Sequence, residues 1–368
     1  MNETGLKKDK LDLIYEANKS NEVSVQTPHG PTDRITVEKI VMQGETFAPL
    51  ECSVQVDTFG KECLRENKLL LQYKGEVGIP PLSLVDDLVS VSRCGIESVR
   101  MNAFLNAKTN LKKLQYGEDK CHKLHVGKKT EICPNLLIDT WTVKAADEYQ
   151  TNVFDLIDEE GNQCEVQNSD CERYLGDLIS TDAKNIKNIL ARKSKGQGIL
   201  KAILSKLEDI CFGPYYFEVP MMFRQSLFLN SILLNSEVWY NLTTKDIQEL
   251  ESVDTELLRR ILEAPVSTPT CMLFLELGCI PLKYVVMQRR QMFLHYVLQQ
   301  KPDSLLLKCL NVQIKHLDEW DWVNQIYSDL QELKIILTFE QIRLHPKEKF
   351  RSLVRKAILQ AALCWLTL

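Results

Sequence analysis

Leu82-Ser83-Leu84-Val85-Asp86-Asp87-Leu88-Val89-Ser90-Val91 is the stretch on which the reading of this chain turns. Two short runs with the leucine and valine content of strands flank a pair of adjacent aspartates. The pattern predicts a tight β-hairpin that holds Asp86 and Asp87 at its turn. Neighbouring carboxylates repel each other, and a nearby cation relieves that repulsion. Two carboxylates on a rigid hairpin therefore suit a divalent metal, Mg2+ or Mn2+, and such ions drive phosphoryl or nucleotidyl transfer. The plain alternative is a solvated turn, because aspartate favours turns on its own account. The apolar flanks weigh against it.

Upstream, Gly75, Gly78 and Pro80-Pro81 set the hairpin off from what precedes it. Cys52, Val56, Phe59 and Cys63 recur at helical spacing, which predicts a helix over roughly 49–64 with Pro49 at its first position. Before it lies a loop at Gln43-Gly44. A glycine there lets the backbone approach a substrate closely, although a simple strand-to-helix connection is the more common reason for such a loop. Val23, Val25, Ile35 and Val37 alternate with polar residues around Pro28-His29-Gly30-Pro31, a β-hairpin pattern over 22–40. Residues 11–18 have helical spacing.

Downstream, residues 96–115 read as a helix that runs into Lys108, Lys112, Lys113, Lys120, Lys123, Lys128 and Lys129. Such lysines neutralise phosphates or simply solvate a helix face. Cys121, His122 and His125 lie within this stretch, without the second ligand pair of a zinc finger. Residues 145–173 turn acidic and read as a linker or insertion. From Tyr174 onward helices dominate. One carries the stripe Ile247, Leu250, Val253, Leu257 and Ile261, with Thr243 or Thr244 as its cap. Another carries Lys184, Lys187, Arg192, Lys193, Lys195, Lys201 and Lys206 among isoleucines and leucines. That basic face either tracks a nucleic-acid backbone or keeps the helix soluble. Arg289-Arg290 and the stretch from Lys347 to Lys356 read the same way.

The 368 residues allow two or three domains. A hydrophobic content of 44% and a charged content of 26% are those of a soluble globular chain. The net charge of −5 does not mark a nucleic-acid binder as a whole, so any such surface must be local. Twelve cysteines without regular spacing, behind a polar, lysine-rich start, point to reduced intracellular thiols. Nothing distinguishes nucleus from cytoplasm. No run approaches the roughly 18 apolar residues of a membrane span. The apolar end, Ile358 to Leu368, reads as a helix cut off partway. There is no P-loop, dinucleotide fingerprint, GxSxG elbow or HExxH pair.

The order of these segments is more specific than any one of them. Val41-Met42-Gln43-Gly44-Glu45-Thr46-Phe47-Ala48-Pro49 resembles motif B of the reverse transcriptases of non-long-terminal-repeat (LINE-type) retrotransposons. Pro81-Leu82-Ser83-Leu84-Val85-Asp86-Asp87 resembles their motif C. Gly117-Glu118-Asp119-Lys120-Cys121 through Leu124-His125-Val126-Gly127 resembles the motif D region. Arg173-Tyr174-Leu175-Gly176-Asp177-Leu178-Ile179-Ser180 is similar to the segment at the entry to the thumb. Leu234-Asn235-Ser236-Glu237-Val238-Trp239 and Leu275-Glu276-Leu277-Gly278 are similar to the thumb and the region beyond it. The resemblance covers roughly residues 11–300.

It implies an α+β fold, a partial polymerase palm followed by a mostly α-helical thumb and extension. The implied divisions are 1–145 for the palm, 146–173 for the acidic insertion, 174–300 for the thumb and 301–368 for a truncated extension. It implies an RNA-directed DNA polymerase using two divalent ions, Mg2+ or Mn2+. The partners would be an RNA template with a DNA primer and deoxynucleoside triphosphates, with no membrane. Asp86 would be a direct metal ligand and Asp87 a more peripheral one. Gln43 and Gly44 would face the nucleotide or template, and Lys120 would act as a general acid toward pyrophosphate. Leu84 departs from the aromatic residue that many relatives carry there. The family's motif A aspartate, on a strand upstream of motif B, has no counterpart here. Only 42 residues precede Gln43, and Asp12 stands in a helical context. The expectation is a chain that does not polymerise by itself. A non-catalytic nucleic-acid-binding remnant is the alternative, and a plain helical interaction protein the third reading.

Overall fold

The computed structural model describes residues 8, 16, 21–24, 26–37, 53, 58–65, 70–84, 87–93, 97–98, 101–102, 104–105, 109, 121–124, 126, 155–157, 163–165, 167–210, 217–319 and 321–367. These form helices and small two-stranded sheets, an α+β arrangement. The chain divides into two compact units, one of residues 1–116 and 132–165 and the other of residues 117–131 and 166–368.

The first unit is built from hairpins and helical segments. β1 (Asn21–Val23) pairs with β4 (Ile35–Val37), and β2 (Gln26–Thr27) with β3 (Gly30–Pro31), so the hairpin expected over 22–40 is present. Gly30 closes it with φ +111°, a conformation open to glycine and costly for other residues. β5 (Leu71–Tyr73) and β6 (Val77–Ile79) form a further hairpin that the sequence reading passed over. β7 (Leu82–Leu84) pairs antiparallel with β8 (Asp87–Val89) in the register Leu82↔Val89, Ser83↔Leu88, Leu84↔Asp87. Residues 58–65 are helical, as are the described residues between 97 and 109. Phe59 and Cys63 pack with Met101 and Leu105 in a small core that also receives Leu70, Leu88 and Phe104. β10 (Asp155–Ile157) and β11 (Gln163–Glu165) form a hairpin where the acidic composition predicted a linker.

In the second unit β9 (His122–Leu124) runs parallel to β12 (Gln167–Ser169), and β13 (Cys171–Tyr174) pairs with β14 (Asp177–Ser180). The helices are α1 (Ile186–Ile210), α2 (Glu218–Phe223), α3 (Leu229–Ile232), α4 (Thr244–Ile261) and α5 (Thr270–Glu276). They continue as α6 (Leu282–Leu298), α7 (Leu305–Lys315), α8 (Trp322–Glu332), α9 (Phe339–Leu344) and α10 (Lys347–Thr367). A π-helical turn, Arg224–Phe228, joins α2 to α3.

α4 shows how composition becomes structure. Thr243 takes the N-cap, with a capping box to Asp246. Arg259 and Arg260 sit in the last turn, where they favour the negative end of the helix dipole. The predicted stripe is the inner face: Leu250, Val253, Leu257 and Ile261 are buried and Ile247 is packed beside them. They meet Ile189, Leu200 and Ile203 of α1, Phe228 and Ile232, and Leu282 and Val286 of α6. A second core takes Tyr284, Met287, Leu294, Val297 and Leu298 from the same α6 and joins them to residues between Leu307 and Ala362. α6 is thus a wall shared by two cores. No helix among the described residues is long and apolar enough to cross a membrane.

Candidate nucleic-acid interface

The aspartate hairpin forms, with one adjustment. Asp87 opens strand β8 opposite Leu84 instead of standing in the turn. Alternation along the strands puts Ser83 and Leu88 on one side, and Leu88 meets the small core. Leu82, Leu84 and Asp87 share the other side, where all three are exposed. The apolar flank that argued against a solvated turn is therefore itself at the surface on this side. Asp86, Gln43, Gly44 and Lys120 lie outside the described residues. Among the described residues no group of three or more His, Cys, Asp or Glu is placed to hold a metal ion. Of the predicted ligand pair, Asp87 is the member that the described residues place.

The basic helix is described over most of its length, with the side chain of Lys206 outside the described residues. α1 buries Asn188, Ile189, Arg192, Gly196, Leu200 and Ile203. Its opposite face carries Lys187, Ser194, Gly198, Lys201 and Ser205, at successive spacings of seven, four, three and four residues. Lys195 flanks this stripe and Lys184 precedes the helix, both exposed. Lys187 and Lys201 stand about 21 Å apart along the axis. Between them this side of the helix carries the small Ser194 and Gly198, with the exposed Leu190 next to Lys187. Lys184, Lys195 and Lys201 make no ion pair among the described residues. Lys193 is held by Glu249 at 2.7 Å. Lys187 Nζ donates to the Asp170 carbonyl at 3.5 Å, and the carboxylate next to Lys184 belongs to Asp182. Its carboxylate accepts from Ser180 Oγ at 2.5 Å and from the Lys184 N–H at 3.1 Å. Those bonds, with the charges of Lys184 and Lys187, hold its pKa below the usual carboxylate range.

Arg192 belongs to the helix but not to its basic face. Its side chain is 5% exposed and paired with Asp177 at 2.9 Å. Arg290 is likewise buried against Asp329 at 2.6 Å. Arg289 donates to the Leu233 carbonyl and to Asn230. These arginines hold the fold together and are not available to a ligand.

Asp177 organises the helix mount. Its Oδ1 accepts from Arg192 at 2.9 Å, Asn188 at 2.9 Å and Trp239 Nε1 at 3.4 Å, and its Oδ2 accepts from Asn235 at 2.7 Å. The preceding turn places Leu175 at φ +47° and Gly176 at φ +89°, as in primed hairpin turns. Leucine is unfavourable there by about 1–3 kcal/mol. Asn235 donates to the Leu175 carbonyl at 3.1 Å and Arg192 to the Gly176 carbonyl at 2.6 Å, which fixes the strained turn. Two separate stretches, 173–180 and 234–239, thereby meet at one carboxylate. Sequence patterning gave no sign of Asp177 as that junction. No protein-family model matches the chain, no curated protein matches it, and no solved structure matches it.

Proposed function

We propose that the chain derives from a retrotransposon reverse transcriptase, an RNA-directed DNA polymerase. We further propose that the 368-residue chain by itself grips a primer–template duplex without extending it. The observation that carries the binding half is the exposed lysine face of α1, mounted on the partly buried polar network around Asp177. The order of motifs along the sequence supports the descent, together with a hairpin that sets Asp87 beside its turn. At physiological ionic strength charges act over about 8 Å, so the overall negative charge does not cancel a local lysine row. Lysines on such a face contact phosphates and set position on the duplex without reading bases.

Four phosphate contacts, one each for Lys184, Lys187, Lys195 and Lys201, give a log–log salt slope near −3.6 and a loss of about 150-fold between 50 and 200 mM salt. Filter binding to an RNA–DNA hybrid at varied salt measures this. Changing all four lysines to glutamine should flatten the slope by about 3.6, to near zero. An unchanged slope would refute the role of α1. In a primer-extension assay with deoxynucleoside triphosphates and Mg2+ or Mn2+, the chain alone should give no product. Template-dependent extension that disappears in Asp86→Ala would refute the non-extending reading. A non-catalytic nucleic-acid-binding remnant is the second reading, motivated by the missing counterpart of the motif A aspartate in the sequence.

A further inference from the structure

α4, α6 and α8 enclose a cleft of about 370 Å³ with Trp365 of α10 at its edge. That volume falls within the range of small-ligand sites. Among the described residues its charges are matched. Arg290 and Asp329 form a buried pair at 2.6 Å, and Lys283 at the wall is tied to Glu332 at 2.6 Å. Burial raises the pKa of the Glu251 carboxyl and so favours its neutral form. A neutral occupant therefore suits the cleft better than an ion. Leu242, Ile247 and Met287 supply apolar wall. Trp365 is 44% exposed, and its edge-to-face contact with Phe274, 6.5 Å between centroids at 71°, fixes the ring. Gln248 of α4 also lines the cleft and is exposed. Its carboxamide makes no hydrogen bond among the described residues. Gln325, by contrast, donates to Asp329 at 3.4 Å.

We propose that this cleft binds an adenine base, stacked on Trp365 and hydrogen-bonded along its amino edge to the Gln248 carboxamide. A carboxamide carries a donor and an acceptor side by side, which match adenine N7 and the N6 amino group as a bidentate pair. A planar base stacks on an aromatic ring without calling for charge. The corresponding edge of uracil shows an acceptor alone, so it engages half of the pair. The cleft shares no residue with the lysine face of α1, so base binding stands apart from duplex binding. A free nucleoside and an unpaired base of a strand present the same chemistry, and the arms of the experiment separate them.

The experiment is calorimetric titration of the full chain with adenosine, purine riboside (which lacks the 6-amino group), uridine and a short oligodeoxyadenylate. Saturable binding of adenosine is expected, with purine riboside and uridine weaker by about fivefold or more. Trp365→Ala should weaken adenosine by about fivefold or more through loss of the stack. Gln248→Ala should weaken adenosine and bring it level with purine riboside, a change in preference that a folding defect does not produce. Circular dichroism checks that each variant folds, and if Trp365→Ala does not fold, Gln248→Ala decides. Oligonucleotide binding counts only in the part that Trp365→Ala removes, because the lysine row binds strands by itself. If that part is tighter than adenosine, the base belongs to a strand; if weaker, to a free nucleoside, and either supports an adenine site. Equal binding of uridine, unchanged affinity in Trp365→Ala, the same preference in Gln248→Ala, or no saturable binding of adenosine would each overturn the proposal. The last outcome would leave ordered water as the occupant.

Discussion

Gly196 and Gly198 stand two residues apart on α1, and alanine at each separates packing from propensity. A Cβ at Gly198 meets nothing within 4 Å. Alanine there should stabilise by about 0.8–1 kcal/mol through helix propensity alone. A Cβ at Gly196 meets Ile232 Cγ2 at 2.9 Å, Phe228 Cε2 at 3.4 Å and Val253 Cγ1 at 3.5 Å. The same propensity gain is then opposed by overpacking, which costs about 1–3 kcal/mol in a filled core. Ile232 and Phe228 are fully buried and have little room to yield. Gly196→Ala should therefore lie about 1–3 kcal/mol below Gly198→Ala, and near or below the parent protein. Urea unfolding followed by tryptophan fluorescence gives the difference directly, and in heat it amounts to about 2–4 °C per kcal/mol for a body of about 200 residues. Equal stabilisation by both alanines would refute the close seating of α1 on α4 and the π-helical turn. Both variants should keep the lysine row and hence the salt slope of duplex binding.

Two further predictions concern buried charge. Arg224 donates to both carboxylate oxygens of Asp254, at 2.7 and 2.6 Å, with both side chains buried. Asp254→Ala should destabilise by about 3–5 kcal/mol because it strands the guanidinium, whereas Arg224→Met with Asp254→Leu should come out close to neutral; chemical denaturation that shows the two variants to be equally stable would contradict this. Burial pushes the Glu251 carboxyl above its usual value of 4.5. The folded state then holds the proton more tightly than the unfolded one, so this group's stabilising contribution is complete below about pH 4.5 and is lost as pH rises through the folded value. Glu251→Gln should match the parent near pH 4.5 and become increasingly the more stable of the two toward pH 8. Melting curves across that range would refute it by showing the opposite trend.

The helices were legible where a local rule sufficed. Thr243 and the stripe from Ile247 to Ile261 needed only capping chemistry and a period of 3.6 residues. The hairpin at Leu82–Val89 needed only two apolar runs with aspartates between them. What stayed hidden depended on distant partners. Arg192 and Arg290 read as solvated basic residues, because nothing nearby in sequence announces Asp177 or Asp329. Residues 145–173 read as a linker or insertion, because acidic composition outweighed four short strands between 155 and 174 that carry no alternating pattern. The metal role of the aspartate pair was read from order and resemblance, and of that pair the described residues place Asp87 alone.

The sharing of α6 between two cores bears on what a shortened chain would do. Tyr284, Met287, Leu294, Val297 and Leu298 are covered by residues that come after position 300. A stop codon near Lys301 would leave those five side chains uncovered on a helix whose Leu282 and Val286 still belong to the other core. The shortened product would carry an adhesive strip along its central helix and face aggregation and proteolysis. Truncation after α6 would thus expose one core at a single step, while the packing of α1 against α4 and the π-helical turn involves no residue beyond Val286.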